Sequence, residues 1–129
     1  MKFALQINAS PTHSPASWTA YRYTQTLLEQ RHDVFRVFFY HDGIYHALKT
    51  VTTPDDEPSL VTQWGQLAQT YGLDLVVCIS AAQRRGILSE DEMKRQNLSD
   101  ILLADGFRLG GLGQLIEATL VAERFLVFG

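Results

Sequence analysis

The chain has 129 residues, 46% of them apolar and 19% charged, a globular balance that excludes disorder as the main reading. Eleven basic and 14 acidic residues leave a net charge of -3, which argues against direct binding to a nucleic-acid duplex, where a basic excess neutralises phosphates. No run approaches the roughly 18 apolar residues of a membrane span, so no membrane partner is expected.

Lys2–Asn8 is a short run rich in strand formers, and polar Asn8 and Ser10 after it make it a first strand rather than a signal peptide. The loop Ala9–Pro15 carries Ser10-Pro11 and Ser14-Pro15, signals of a turn and of a helix start. Ala20, Tyr23, Thr24, Leu27 and Leu28 then recur on one face of an amphipathic helix expected to end near His32. Val34–Tyr40 reads as a second strand covered on both faces, closed by the turn His41-Asp42-Gly43. The polar loop Thr50–Pro58 holds Asp55, Asp56 and Glu57 ahead of a helix, where negative charge suits the helix dipole. That helix places Leu60, Val61, Trp64, Leu67, Ala68 and Tyr71 on one face and stops at Gly72.

Leu73–Cys78 predicts the third strand. Ser80–Arg85 and Ser89–Gln96 read as two short helices separated by Gly86, the second opened by the capping-box pattern Ser89-Glu90-Asp91-Glu92. Phe107–Leu109 is a short fourth strand. Gly110-Gly111 turn into a helix with Leu112, Leu115, Ile116, Thr119 and Leu120 expected inward, and Arg124–Phe128 is the last strand. The alternation predicts a single three-layer α/β/α domain over residues 1–129, with a mostly parallel five-stranded sheet and helices on both faces. The pattern does not fix the strand order.

Only one cysteine is present, so neither an internal disulfide nor a Cys-rich zinc site is open to this chain, and a reducing, cytoplasmic compartment is expected. Ligands and reactive groups of open parallel sheets gather at the carboxyl ends of strands. The loops after Tyr40, Cys78 and Leu109 qualify. Cys78 closes the third strand just ahead of a short helix, whose free N–H groups favour thiolate over thiol. Arg84 and Arg85 follow one to two turns on and add positive potential. Lowering a thiol pKa of about 8.5 by one unit raises the ionised share at neutral pH from roughly 3% to roughly a quarter. The plainer alternative is a small buried core residue, as free cysteines often are.

Other templates fit less well. A papain-like hydrolase needs a His base with an orienting Asn or Asp, and His13, His32, His41 and His46 show no such spacing. His41 ends the second strand on the edge expected for Cys78, or is a solvated turn residue. His41, Asp42 and His46 form a loose cluster, too weak to predict a metal. Cys78 and Arg84 match the C-x5-R spacing of tyrosine phosphatases and arsenate reductases, whose loop wraps an oxyanion with backbone N–H groups. No glycine lies between them, Ala81-Ala82-Gln83 favours helix, and Arg85 stands where those families carry Ser or Thr. Gly110-Gly111-Leu112-Gly113 is a near miss to dinucleotide patterns and reads better as a tight turn.

With Cys78 and its flanks in view, the chain resembles the DsrE/TusD family of sulfur-relay proteins over essentially its whole length. The resemblance rests on Val37-Phe38-Phe39-Tyr40 with Asp42-Gly43, on Cys78 with Ala81-Ala82-Gln83-Arg84-Arg85-Gly86, and on Gly111-Leu112-Gly113-Gln114-Leu115 ahead of Glu117-Ala118. It implies that Cys78 accepts sulfane sulfur as a persulfide and hands it on. It implies one subunit type of a heterohexamer with two paralogous subunits, served by small sulfur-donor and sulfur-acceptor carrier proteins. TusD-like members act in thiolation of the tRNA wobble uridine and DsrE-like members in cytoplasmic sulfur oxidation. Lys2–Asn8, Phe35–Asp42 and Ala81–Gly86 lean toward the second branch, while Ala9–Ser17 is less typical of the family.

Persulfide exchange is thiolate attack on a bound sulfur, and one cysteine suffices when the other sulfurs belong to partners. No cofactor and no metal are expected. Ser80, Arg84, Arg85 and His41 are the residues expected to position or charge the site, and an apolar docking rim is expected near the sulfur. Two further readings stay open: a cysteine phosphatase or arsenate reductase on Cys78 and Arg84, and a non-catalytic assembly subunit with a buried thiol.

Overall fold

Five short segments form one sheet: β1 (Lys2–Ile7), β2 (Asp33–Phe39), β3 (Leu75–Cys78), β4 (Phe107–Gly110) and β5 (Arg124–Phe128). The computed structural model describes residues 1–51, 59–87, 90–95 and 103–129. The order across the sheet is β4-β3-β2-β1-β5, and every strand pairing is parallel. An isolated antiparallel bridge, Leu48 to Leu103, lies outside the strands. The α/β fold with a parallel five-stranded sheet is thus as expected, and all of the sheet rather than most of it is parallel.

From β1 to β4 the chain steps one way across the sheet. It then returns past all of them to place β5 beside β1. Right-handed crossovers put connections of opposite sense on opposite faces. Accordingly α1 (Pro15–Glu29) and α2 (Leu60–Tyr71) pack together on one face, and α5 (Leu112–Val121), which joins β4 to β5, lies on the other. A 3-10 segment, His41–Ala47, extends the predicted turn after β2, and the short helices α3 (Ile79–Arg84) and α4 (Glu90–Arg95) follow β3.

Side chains alternate across a strand, so the pairing register sorts them by face. Leu5, Val37, Phe39, Leu75, Val77 and Phe107 face α1 and α2. There Trp64 packs edge-on against Phe39 and Tyr21, with ring centroids 5.4 and 5.1 Å apart. Arg36, Phe38, Asp74, Val76, Cys78, Arg108 and Gly110 face the α5 side. Local signals set the helix ends as expected. Ser14 caps α1 through Ala16 N–H with Pro15 in the first turn, and Gly72 ends α2 with φ 67.

Three orientations and one helix end differ from the pattern reading. In α1 it is Tyr21, not Tyr23, that turns inward, because Trp64 of α2 offers Tyr21 an edge-on partner while Tyr23 stays exposed beside Phe128. α1 also stops before His32: Arg31 takes φ 65, and the backbone N–H of His32 turns back to Leu27 O. Tyr71 is exposed at the end of α2, one residue before its cap. The largest change is in α5, where Leu112, Ile116 and Leu120 point to solvent, Leu120 with 80% of its surface exposed, and only Ala118 is fully buried. Thr119 is exposed as well, and Leu115 alone of the five predicted residues packs on the core. The acids Asp55, Asp56 and Glu57 and the cap Ser89 lie outside the described residues.

Candidate functional site at the carboxyl edge of the sheet

Because every strand runs the same way, the loop after β2, the residue that ends β3 and the turn after β4 open at one edge. Cys78 is the last residue of β3 and the cap position of α3, in register with Gly110 of β4. Its thiol does not cap the helix. Instead Sγ lies 3.3 Å from Ser80 Oγ, a side chain exposed to solvent. The Cys78 residue itself is buried, with 1% of its surface exposed. The thiol therefore sits at the sheet rim, as the strand pattern predicts, but beneath the surface of the isolated chain rather than open to it.

The predicted flanking residues divide. Arg85 does not reach toward the thiol. Its guanidinium bonds Asp42 Oδ1 at 3.0–3.1 Å and its own helix at Ala81 O, so it ties the turn after β2 to the helix after Cys78. Arg84 is exposed and makes no ion pair among the described residues. Residues 79–84 are helical, so the segment between Cys78 and Arg84 does not curl into the anion cradle that the C-x5-R spacing requires. His41 is exposed in a left-handed conformation, φ 49, and stacks on Tyr40 at 4.2 Å. It lies on the same edge as Cys78, two residues beyond Phe39, which pairs with Val77, the residue before the cysteine.

Close packing fixes this edge. A Cβ on Gly43 would meet Ile7 O at 1.9 Å, so only glycine lets the 3-10 segment lie against the end of β1. His46, deeper in that segment, is fully buried. Its Nε2 hydrogen-bonds Ala9 O at 3.0 Å, and it packs against Phe39 and Trp64. Burial pushes its pKa down to about 4, against the lifting effect of the Ala9 carbonyl. His46 is thus a neutral core residue. Among the described residues no group of three His, Cys, Asp or Glu side chains is placed to hold a metal ion.

Pattern reading missed the charges under α5. Arg36 is buried in the middle of β2. It donates from Nε to Asp74 Oδ2 at 2.6 Å and from Nη1 to Gln114 O and Glu117 Oε1, each at 2.8 Å. Arg108 adds two bonds to Asp74 at 2.7 and 3.0 Å. Burial lifts the Asp74 pKa, but the two guanidiniums outweigh it and hold the carboxyl below its usual value. The signal was present: an arginine inside the apolar run Val34–Tyr40 must either reach the sheet surface or find acids. At the head of α5, Gly111 N–H donates to Gln114 Oε1 at 2.8 Å, which makes Gly110-Gly111 a capped strand-to-helix turn rather than a phosphate loop.

Residues 1–128 match the sequence profile of the DsrE/DsrF-like family. The chain belongs to that family. The DsrE protein of Allochromatium vinosum is 48% identical over 129 residues, which cover 100% of this chain and 99% of that one. A protein of Pseudomonas aeruginosa named a sulfurtransferase TusD homolog is 42% identical, covering 100% of this chain and 98% of its own. The sulfurtransferase TusD of an Enterobacter species is 38% identical over 128 residues, 99% and 100% of the two chains. The crystal structure of the ychN protein from E. coli shares the fold with a TM-score of 0.80, at 22% identity and 99% coverage of both chains. No helix among the described residues is long and apolar enough to cross a membrane.

Proposed function

We propose that this DsrE/DsrF-like chain is a sulfurtransferase subunit in which Cys78 carries sulfane sulfur as a persulfide between partner proteins. The observation that carries the reading is the placement of the chain's only cysteine. It ends a strand of the sheet at the carboxyl edge, with the hydroxyl of the exposed residue Ser80 3.3 Å from its sulfur. The full-length similarity to proteins named sulfurtransferases supports the same reaction class. In the transfer, the Cys78 thiolate attacks the outer sulfur of a donor persulfide. The donor S–S bond breaks, the donor leaves as a thiolate that takes up a proton, and Cys78 holds the new S–S bond.

The outward apolar stripe of α5 supports an assembly of this chain with two paralogous subunits in a heterohexamer, and small donor and acceptor carriers visit the cysteine edge. The reading places the protein in the cytoplasm as a single domain, with no direct contact to nucleic acid. The higher identity to the DsrE protein favours sulfur oxidation over tRNA thiolation as its setting. Ser80 is the group that meets the sulfur. Arg85 acts through Asp42, Arg84 contributes charge at the rim, and His41 lies at the same rim stacked on Tyr40.

Exposure of the protein to a persulfidated donor, followed by intact mass, tests the reading. A gain of one sulfur in the native chain and none in Cys78→Ser is the expected result. An adduct that persists in Cys78→Ser overturns it. The burial of the thiol favours a second reading, a non-catalytic assembly subunit. That reading requires a thiol inert to alkylation in the native state, so measurable native alkylation at Cys78 retires it.

A further inference from the structure

We infer that Gln114 is a positioning residue for sulfur transfer, its side-chain amide donating a hydrogen bond to the outer sulfur of the Cys78 persulfide. The inference rests on the reading of Cys78 as the persulfide site. Three observations lead to it. The first is placement. Gly110 is the register partner of Cys78, and a Cβ on Gly110 would meet Val76 Cγ1 at 2.6 Å, so it faces the same side of the sheet as Val76 and Cys78. Gln114 Oε1 lies 3.3 Å from that same point. Neighbouring strands are about 4.8 Å apart, which puts the carboxamide within roughly 8 Å of the Cys78 side-chain root. A disulfide-type S–S bond of about 2.05 Å carries the outer sulfur of a persulfide across much of that gap.

The second observation is orientation. Gly111 N–H donates to Oε1 at 2.8 Å, which identifies that atom as the oxygen and leaves Nε2 as the free arm of the amide. Among the described residues Nε2 has no hydrogen-bond partner. The third is rigidity. The Gln114 backbone carbonyl accepts from Arg36 Nη1 at 2.8 Å, and that guanidinium is buried and fixed by Asp74 and Glu117. The first turn of α5 is thereby fastened to the sheet at Arg36, on the face that also carries Cys78. Ser80 on the α3 side and Gln114 on the α5 side then offer donors to the sulfur from opposite flanks. An ionised persulfide accepts such bonds more strongly than a neutral thiol does.

The test uses Gln114→Glu. A carboxylate still accepts from Gly111 N–H and suits the positive end of the helix, so folding is retained and the thermal midpoint does not fall. Only the donor is lost, replaced by a negative charge. The expected result is a persulfide-loading rate lowered about tenfold at neutral pH, by the lost donor and the added negative charge together. The pH midpoint for alkylation of Cys78 rises in the same variant. Gln114→Met, which removes the donor without adding charge, gives a smaller loss in loading. Loading and alkylation profiles of Gln114→Glu that match the native chain overturn the inference while leaving the persulfide reading intact. If the native chain takes up no sulfur, both fall.

Discussion

Asp42 Oδ1 and Arg85 Nη2 lie 3.0 Å apart and join two loops that meet at the cysteine edge. Asp42 stands in the 3-10 segment after β2, and Arg85 just past α3, seven positions beyond Cys78 in the chain. The pair is partly exposed, with 62% of the Asp42 and 23% of the Arg85 side chain accessible, so it contributes at most about 1 kcal/mol. Its consequence is local. Exchange at a buried thiol requires the edge to open, and this contact opposes that opening. Asp42→Asn is expected to raise the native alkylation rate of Cys78 by up to about fivefold, with little change in urea midpoint. An unchanged alkylation rate would show that the edge opens elsewhere.

Arg36 makes the larger contribution to the fold. Its removal in Arg36→Met leaves Glu117 without its partner, Gln114 O without its donor, and Asp74 with Arg108 alone. Breaking a fully buried ion pair costs about 3 kcal/mol, and the 27% and 56% exposure of the Asp74 and Glu117 side chains lowers the cost here to about 2 kcal/mol. Urea unfolding of Arg36→Met should show a loss of that order. A loss below about 1 kcal/mol would mean that water replaces the guanidinium at little cost.

His46 sets a pH window. Its folded pKa is near 4 and its unfolded value near 6.5, so between these the unfolded chain binds the extra proton. Stability from this group is complete above pH 6.5 and is lost as pH falls toward 4, by about 3 kcal/mol at full extent. Asp74, held below its usual value, adds a further loss only at lower pH, as its carboxylate is protonated. Unfolding curves from pH 7 to 4 should slope in the native chain. They should flatten in His46→Gln, which keeps a donor for Ala9 O and does not titrate. A slope that survives the substitution assigns the window to another group.

In the proposed assembly the outward stripe of α5 is the interface. Leu120 and Ile116 have 80% and 59% of their surfaces exposed, so Leu120→Glu should change the stability of the isolated chain by less than about 0.5 kcal/mol. The same substitution should lower the assembled mass measured by light scattering with the partner chains present. An unchanged mass places the interface on another face.

What the sequence made legible was local. Ser14-Pro15 and Gly72 mark helix ends because capping chemistry acts within one turn, and Cys78 is read as a strand end from the apolar run that precedes it. The phase of α5 was not legible. Leu112, Leu115, Ile116, Leu120 and Val121 surround much of the helix, so periodicity alone gives no inward side. That side is chosen by Arg36, 78 residues away in the chain, which reaches Gln114 O. Tyr21 and Tyr23 pose the same problem in α1, and Trp64 on α2 decides it. The C-x5-R spacing counted residues correctly. The helical preference of Ala81-Ala82-Gln83 overrides the loop that such spacing needs.

The pairing of β5 with β1 has a consequence for how the chain is made. The amide of Lys2 bonds Glu123, 121 positions later, and β1 lies between β2 and β5. During synthesis β1 therefore leaves the ribosome long before the neighbour that completes its outer side. Until then its free backbone groups form an open apolar edge, a template for unwanted pairing with other nascent chains. A long-range closure of this kind is slow. Yield in a host should therefore depend on chaperone supply and growth temperature more than on the stability of the finished protein.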